Sequence, residues 1–445
     1  MISNDAMLTV RLAPVALLLL AGCATAPDPA EAPPTPVEPL NLATSELPGD
    51  EVLDIQVVTF EANVPSDPEA AEVEQVFTDV RNAEARFVPY TLRQTLQRSG
   101  HWGDVRVVPT PMEGAELQIT GRILESHGEL LELKVRAEDA TGRVWLDRQY
   151  SEDINAGRYR IATGAGGEPF QSLYNRIAND LVAARAELAA AERREIAEVA
   201  RLRFAAQLAP QVYESRLVQS RDGNLQARDA PDPLAGAIAQ ARLRDARMID
   251  ILDQHYSDFH RQMEVPYGDW REASYRELQN LKELRRQANT RKTLGALAIL
   301  GGLVGAIKSQ PDSGRVSESE QGTGSGSGSR SGTATGSQVG QLASLAAIAG
   351  GIYAVSSGID KSRQTSIHVE SLRELGRSLE ADLAPQVVDI QDKTVRLTGS
   401  AEAQYQQWQE ILADMVAEQA DVVERAQAES EQTESAAAQA QDPPE

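Results

Sequence analysis

The chain of 445 residues has one cysteine, Cys23, and five histidines. A lone thiol cannot close an internal disulfide, and Cys23 has no second cysteine or nearby histidine with which to share a metal. The histidines, His101, His127, His255, His260 and His368, are scattered. The nearest pair, in HYSDFH, is five apart and falls on different helix faces, where a spacing of four would share a metal. There is no GxSxG elbow and no glycine-rich phosphate loop after a strand. Carboxylate pairs such as Glu318 and Glu320 stand in solvated stretches where nothing raises a pKa. The chain therefore reads as a non-enzyme with no metal site and no cofactor. Aromatic residues make up only 4 %, which suits long helices better than a sugar-binding groove. The net charge of −23 argues against nucleic acid or an anionic surface as ligand, because phosphate binding needs clustered lysine and arginine.

What is present begins with MLTVRLAPVALLLLAGC. Arg11 precedes an apolar stretch of roughly ten residues and small residues at a cleavage position, the anatomy of a secretory signal too short to span a bilayer comfortably. Asp5 is out of character for a positively charged leader, so Met1 and Met7 are alternative starts. Leu20, Ala21, Gly22 and Cys23 resemble the lipobox of bacterial lipoproteins. That resemblance implies a diacylglycerol on the Cys23 sulfur, removal of residues 1–22 and an acyl chain on the new amino terminus. Ala24, rather than aspartate, implies sorting to the outer membrane, with the body facing the periplasm. Two or three acyl chains anchor stably where one would not, so membrane lipid is the first expected partner. Residues 23–50 are proline-rich and acidic and read as an extended, disordered tether of roughly 3 Å per residue.

The fold class expected for the body is α+β, starting with a β-α-β-β-β-β sheet domain over residues 51–155. LDIQVVTF is β-branched and alternating, and AEARFVPYTLRQTLQRSG is a helix that stops at Gly100. VRVVP, AELQITGRIL, LELKVRAED and VWLDRQY follow as strands joined by tight turns. Leu131, Leu133, Val135 and Ala137 alternate with Glu132, Lys134, Arg136 and Glu138, so one sheet face is wet and the other packs on the helix. This order, with LQRSGHW, DVRVVP, AELQITGRI and DATGR, resembles the N-terminal domain of TolB and the CsgG and LpoB types of periplasmic lipoprotein. The resemblance implies a partner-docking domain without a catalytic centre. Trp102 and Trp145 are expected to cap its core, with an exposed docking edge at these tryptophans as the alternative.

Residues 168–293 read as a coiled-coil-like helical region. A first helix of roughly forty residues carries Phe170, Leu173, Ile177, Leu181, Ala184 and Leu188 at steps of three and four, slips phase, and ends at Pro210. A second runs from LAGAIAQ to HRQM and a third from YGDW into TRKTLG. Two glycine-rich apolar segments, 294–307 and 339–359, are joined by a disordered linker, 308–338. Gly301, Gly305, Gly350 and Gly351 allow close helix approach, as GxxxG pairs do in membranes. The first segment as a helix covers about 21 Å against a hydrocarbon core of about 30 Å. A membrane-inserted hairpin, a self-association zipper and plain buried core all remain open. Residues 361–417 read as a helix, a hairpin and a helix, and 418–445 as an acidic tail whose first part can extend that helix.

These features lead to the expectation of an outer-membrane lipoprotein, a non-enzymatic scaffold or regulator that docks a protein of a cell-envelope machine. The alternative is a CsgG-like homo-oligomer that inserts its glycine-rich segments for secretion or export, and a less favoured one is an envelope-remodelling enzyme.

Overall fold

The computed structural model describes residues 33–45, 47–67, 77–165, 167–306, 374, 386–390 and 393–440. Its centre is a five-stranded mixed sheet in the order β2-β1-β3-β4-β5. The strands are β1 (Ile55–Val58), β2 (Val105–Val108), β3 (Leu117–Ser126), β4 (Leu130–Asp139) and β5 (Val144–Asp153). β1 lies between parallel partners β2 and β3, and β3, β4 and β5 run antiparallel. Helix α1 (Thr78–Ser99) makes the crossover from β1 to β2, and Gly100 ends it in the left-handed region at φ 72°. The element order is the one expected for residues 51–155. The alternation in β4 also holds: Leu131, Leu133, Val135 and Ala137 are buried, while Glu132, Lys134, Arg136 and Glu138 lie on the wetter face.

The core continues beyond the sheet. Helices α2 (Ala156–Ala165), α3 (Gln171–Ala186) and α4 (Ala190–Leu208) follow, then a short α5 (Pro210–Tyr213) and a hairpin of β6 (Leu217–Gln219) and β7 (Leu225–Ala227). Phe170, Leu173, Ile177 and Leu181 are packed with Leu92, Leu96, Val135 and Tyr150, so the heptad-like seam faces the sheet core. The expected forty-residue helix is broken at 187–189, where the Glu192 carboxylate accepts the Ala189 N–H at 2.9 Å and starts α4 afresh.

The expected second and third helices are one: α6 (Ala235–Ala306) passes through Pro266. Proline removes one backbone donor, but Met263, Tyr267 and Trp270 on either side are buried against Val80, Ala83 and Phe87 of α1 and hold the axis in register. Next to Pro266, Val265 is 69 % exposed, so the interruption faces the solvent side. α6 also shields the β2 edge: Asp253 accepts the Val107 N–H at 2.8 Å and Asp250 accepts from Arg106 at 2.6 Å. The hairpin β8 (Gln386–Ile390) and β9 (Lys393–Leu397) leads to α7 (Ala401–Ala440). Tyr405, Trp408, Leu412 and Val416 of α7 pack on Leu202 and Leu208 of α4 and on Ile238 and Met248 of α6.

Candidate docking and anchoring surfaces

The stretch expected as a free tether is held from Pro33 onward. α3 presents Ser172, Asn175 and Asn179 along one face, and these side chains bond the backbone of the extended segment 33–45. Ser172 Oγ accepts the Glu38 N–H at 3.0 Å, Asn175 donates to the Glu38 carbonyl at 2.6 Å, and Asn179 donates to the Pro39 carbonyl at 3.0 Å. Asn179 also accepts the Asn41 N–H at 2.8 Å, and the Ala43 N–H reaches the Ser99 carbonyl at 2.8 Å. Leu40 packs on the core beside this ladder. Proline removes competing donors from the segment and keeps it extended, so it needs few partners to be fixed.

At its upstream end the Pro33 carbonyl accepts from Asn155 at 2.8 Å. The next residue, Ala156, gives its N–H to the Tyr275 hydroxyl of α6 at 3.0 Å. Tyr159 packs on Tyr275, with ring centroids 5.4 Å apart, and donates to the Gly128 carbonyl at 2.5 Å. A Cβ on Gly128 would collide with the backbone of Arg271 and Tyr275, so the β3–β4 turn touches α6 directly. One turn away, Arg271 grips Glu168 and lies 4.2 Å from the Tyr267 ring centre. Beyond Tyr275, a groove of about 500 Å³ is lined by Arg160, Arg276, Lys282 and Arg286 together with Glu272 and Glu283. Lys282 is paired with Glu129, and Arg276 with Glu272.

The outer face of β3–β5 is a second surface. Its charges form a lattice: Arg136 bonds Glu138 at 2.5 Å and Asp147 at 3.3 Å, Lys134 pairs with Asp147, and Gln149 donates to Glu132 at 2.7 Å. Lys134 and Arg136 hold the Asp147 carboxyl below its ordinary range. Among the described residues no strand lies beyond β5. Its margin is instead dressed by α3, where Asp180 accepts from Arg148 at 2.6 Å and Tyr150 at 2.8 Å.

A smaller cleft, of about 90 Å³, is lined by Asp54, Arg106, Glu116, Arg242 and Asp245. Burial raises the Asp54 and Glu116 carboxyls, and it takes Asp245 to about 7. Asp54 accepts the Asp104 N–H at 2.8 Å and Glu116 accepts the Asp54 N–H at 2.8 Å, so both are occupied in pinning strand ends. Among the described residues no group of three or more His, Cys, Asp or Glu could hold a metal ion.

Trp102 is 6 % exposed and packs at 6.2 Å from Trp145, whose indole N–H donates to Asp139 at 2.7 Å. Trp102 belongs to the sheet core, and Trp145, partly buried, packs against it. Gly301 and Gly305 lie in the last part of α6, whereas Leu20, Ala21, Gly22, Cys23, Gly350 and Gly351 lie outside the described residues. No described helix is long and apolar enough to cross a membrane. The Asn/Ser ladder was missed in the sequence because polar residues on a helix usually mean a solvated face; the available signal was their spacing, 172, 175 and 179, on one stripe. No family model, curated protein or solved structure matches the chain.

Proposed function

We propose that this protein is a lipid-anchored scaffold of the bacterial cell envelope, carried on the outer membrane by Cys23 and offering a docking surface to an envelope protein. The observation that carries the reading is the fixed segment at Pro33. Only nine residues lie between Cys23 and Pro33, a span of at most about 35 Å fully extended. A lipid on Cys23 keeps the body close to the bilayer and turns the Asn155 end towards it, leaving the charged face of β3–β5 available for a partner. Alternating charges across such a face favour specificity and orientation over affinity.

Metabolic labelling with a fatty acid tests the anchor. Label enters the wild-type chain and is absent from Cys23→Ser; label in both, or in neither, overturns the lipoprotein reading. Crosslinkers on the open face, at Lys134 and Gln149, test the docking: a discrete envelope protein is captured, and Arg136→Glu abolishes that one product.

A further inference from the structure

The first described residue, Pro33, and the last stretch of α6 meet the body at the same end. Pro33 is bonded to Asn155, and Ala156 is bonded to Tyr275 of α6. From Tyr275 the helix continues without a break to Ala306. Along it, Arg276, Lys282, Arg285, Arg286, Arg291 and Lys292 outnumber Glu277 and Glu283; Arg276 is paired with Glu272 and Lys282 with Glu129, so the basic excess lies from Arg285 to Lys292. This basic neck is the reverse of the chain as a whole, whose net charge is −23, and the total charge conceals it. Directly after the neck, residues 294–306 carry no charge at all.

The reaches of the two parts agree. Leu294 is about 28 Å along the helix from Tyr275, and Cys23 can lie at most about 35 Å from Pro33. A basic stretch followed by an apolar one suits a phosphate-bearing surface with hydrocarbon beneath it. The apolar run, about 20 Å as a helix, is too short to cross a core of about 30 Å. Lys308 follows after a single residue, Ile307, and a lysine is held at the headgroup level, so the run belongs to one leaflet.

We propose that the α2–α6 end is a second membrane contact: the neck from Arg285 to Lys292 meets anionic lipid headgroups, and residues 294–306 enter the leaflet that holds Cys23. The identity of that leaflet rests on the lipoprotein reading; the contact itself does not. Basic residues within a Debye length of the surface supply attraction, and the uncharged run supplies apolar burial.

Because Cys23 is the only cysteine, Cys23→Ser leaves a full chain into which Ala298→Cys introduces one site for a nitroxide label. With vesicles of phosphatidylethanolamine and phosphatidylglycerol, the label at 298 becomes accessible to oxygen and shielded from a water-soluble nickel complex. A label at Asp222→Cys, in the exposed turn between β6 and β7, stays open to nickel and reports that the body is folded and in water. Adding Arg285→Glu and Arg286→Glu removes the shielding at 298. A label at 298 that nickel still reaches with vesicles present overturns the proposal. So does equal shielding without vesicles, which assigns the run to contact with a second copy. Shielding that survives the charge reversal overturns the role of the neck. Fatty-acid labelling of Cys23 is read separately, so the two ideas fail independently.

Discussion

Arg271 and Glu168 meet fork to fork, at 2.7 and 2.9 Å, with side chains only 4 % and 10 % exposed. The pair ties α6 to the residues leading into α3, and Phe87, Phe170 and Tyr267 surround the guanidinium. Removing one partner strands a buried charge. Arg271→Met is expected to lower stability by about 3–5 kcal/mol. The double variant with Glu168→Met removes both charges and loses clearly less. Urea midpoints of the two variants check this, and equal losses would contradict it.

The Ser172, Asn175 and Asn179 ladder fastens the extended segment 33–45 to α3. Asn175 is 5 % exposed beneath the segment it holds. Asn175→Ala removes a buried donor and leaves the Glu38 carbonyl without that partner, costing about 1–3 kcal/mol locally. Adding Asn179→Ala frees the segment. Thermolysin then cuts before Leu42, which is 60 % exposed, faster than in the wild type, while the global unfolding midpoint moves little.

Asp245 and His260 give opposing pH dependences. Burial raises the Asp245 carboxyl from 3.8 to about 7, although Gln409 donates to it at 2.9 Å and Arg242 lies near. Its stabilising contribution is therefore complete below pH 3.8 and is lost as pH rises to about 7. His260 is stacked on Phe87, with centroids 4.2 Å apart, and burial lowers it from 6.5 to about 4. The contribution of its neutral ring is complete above pH 6.5 and is lost as pH falls to about 4. Each effect is on the order of 3–5 kcal/mol, and between pH 4 and 6.5 the two nearly cancel each other. Relative to the wild type, Asp245→Asn therefore tilts stability upwards with pH across this window, and His260→Gln tilts it downwards. Denaturant midpoints at the two ends of the window test both signs.

Local pattern carried far in this chain. Period-two alternation in β4 marked its buried and wet faces, and Gly100 marked the end of α1, because a single strand or helix end is decided by neighbours in sequence. The continuity of α6 was not legible at Pro266. A proline argues for a break wherever no outside packing is known, and here Met263, Tyr267 and Trp270 supply that packing from both sides. The break between α3 and α4 went unseen for the converse reason: the strong helix formers around 187–189 gave no local stop signal.

By itself, the sequence determined the five strands and their faces, the helix-rich remainder and the uncharged run after a basic neck. These are properties of composition and periodicity, set by transfer of side chains out of water over a few adjacent residues. Only the tertiary structure decided that residues 33–45 are fastened to α3 and that α6 guards the β2 edge. It alone decided that Pro33 and Tyr275 come together around Asn155 and Ala156. Those contacts join residues more than a hundred positions apart, and no local propensity encodes which distant backbone a buried asparagine or tyrosine will find.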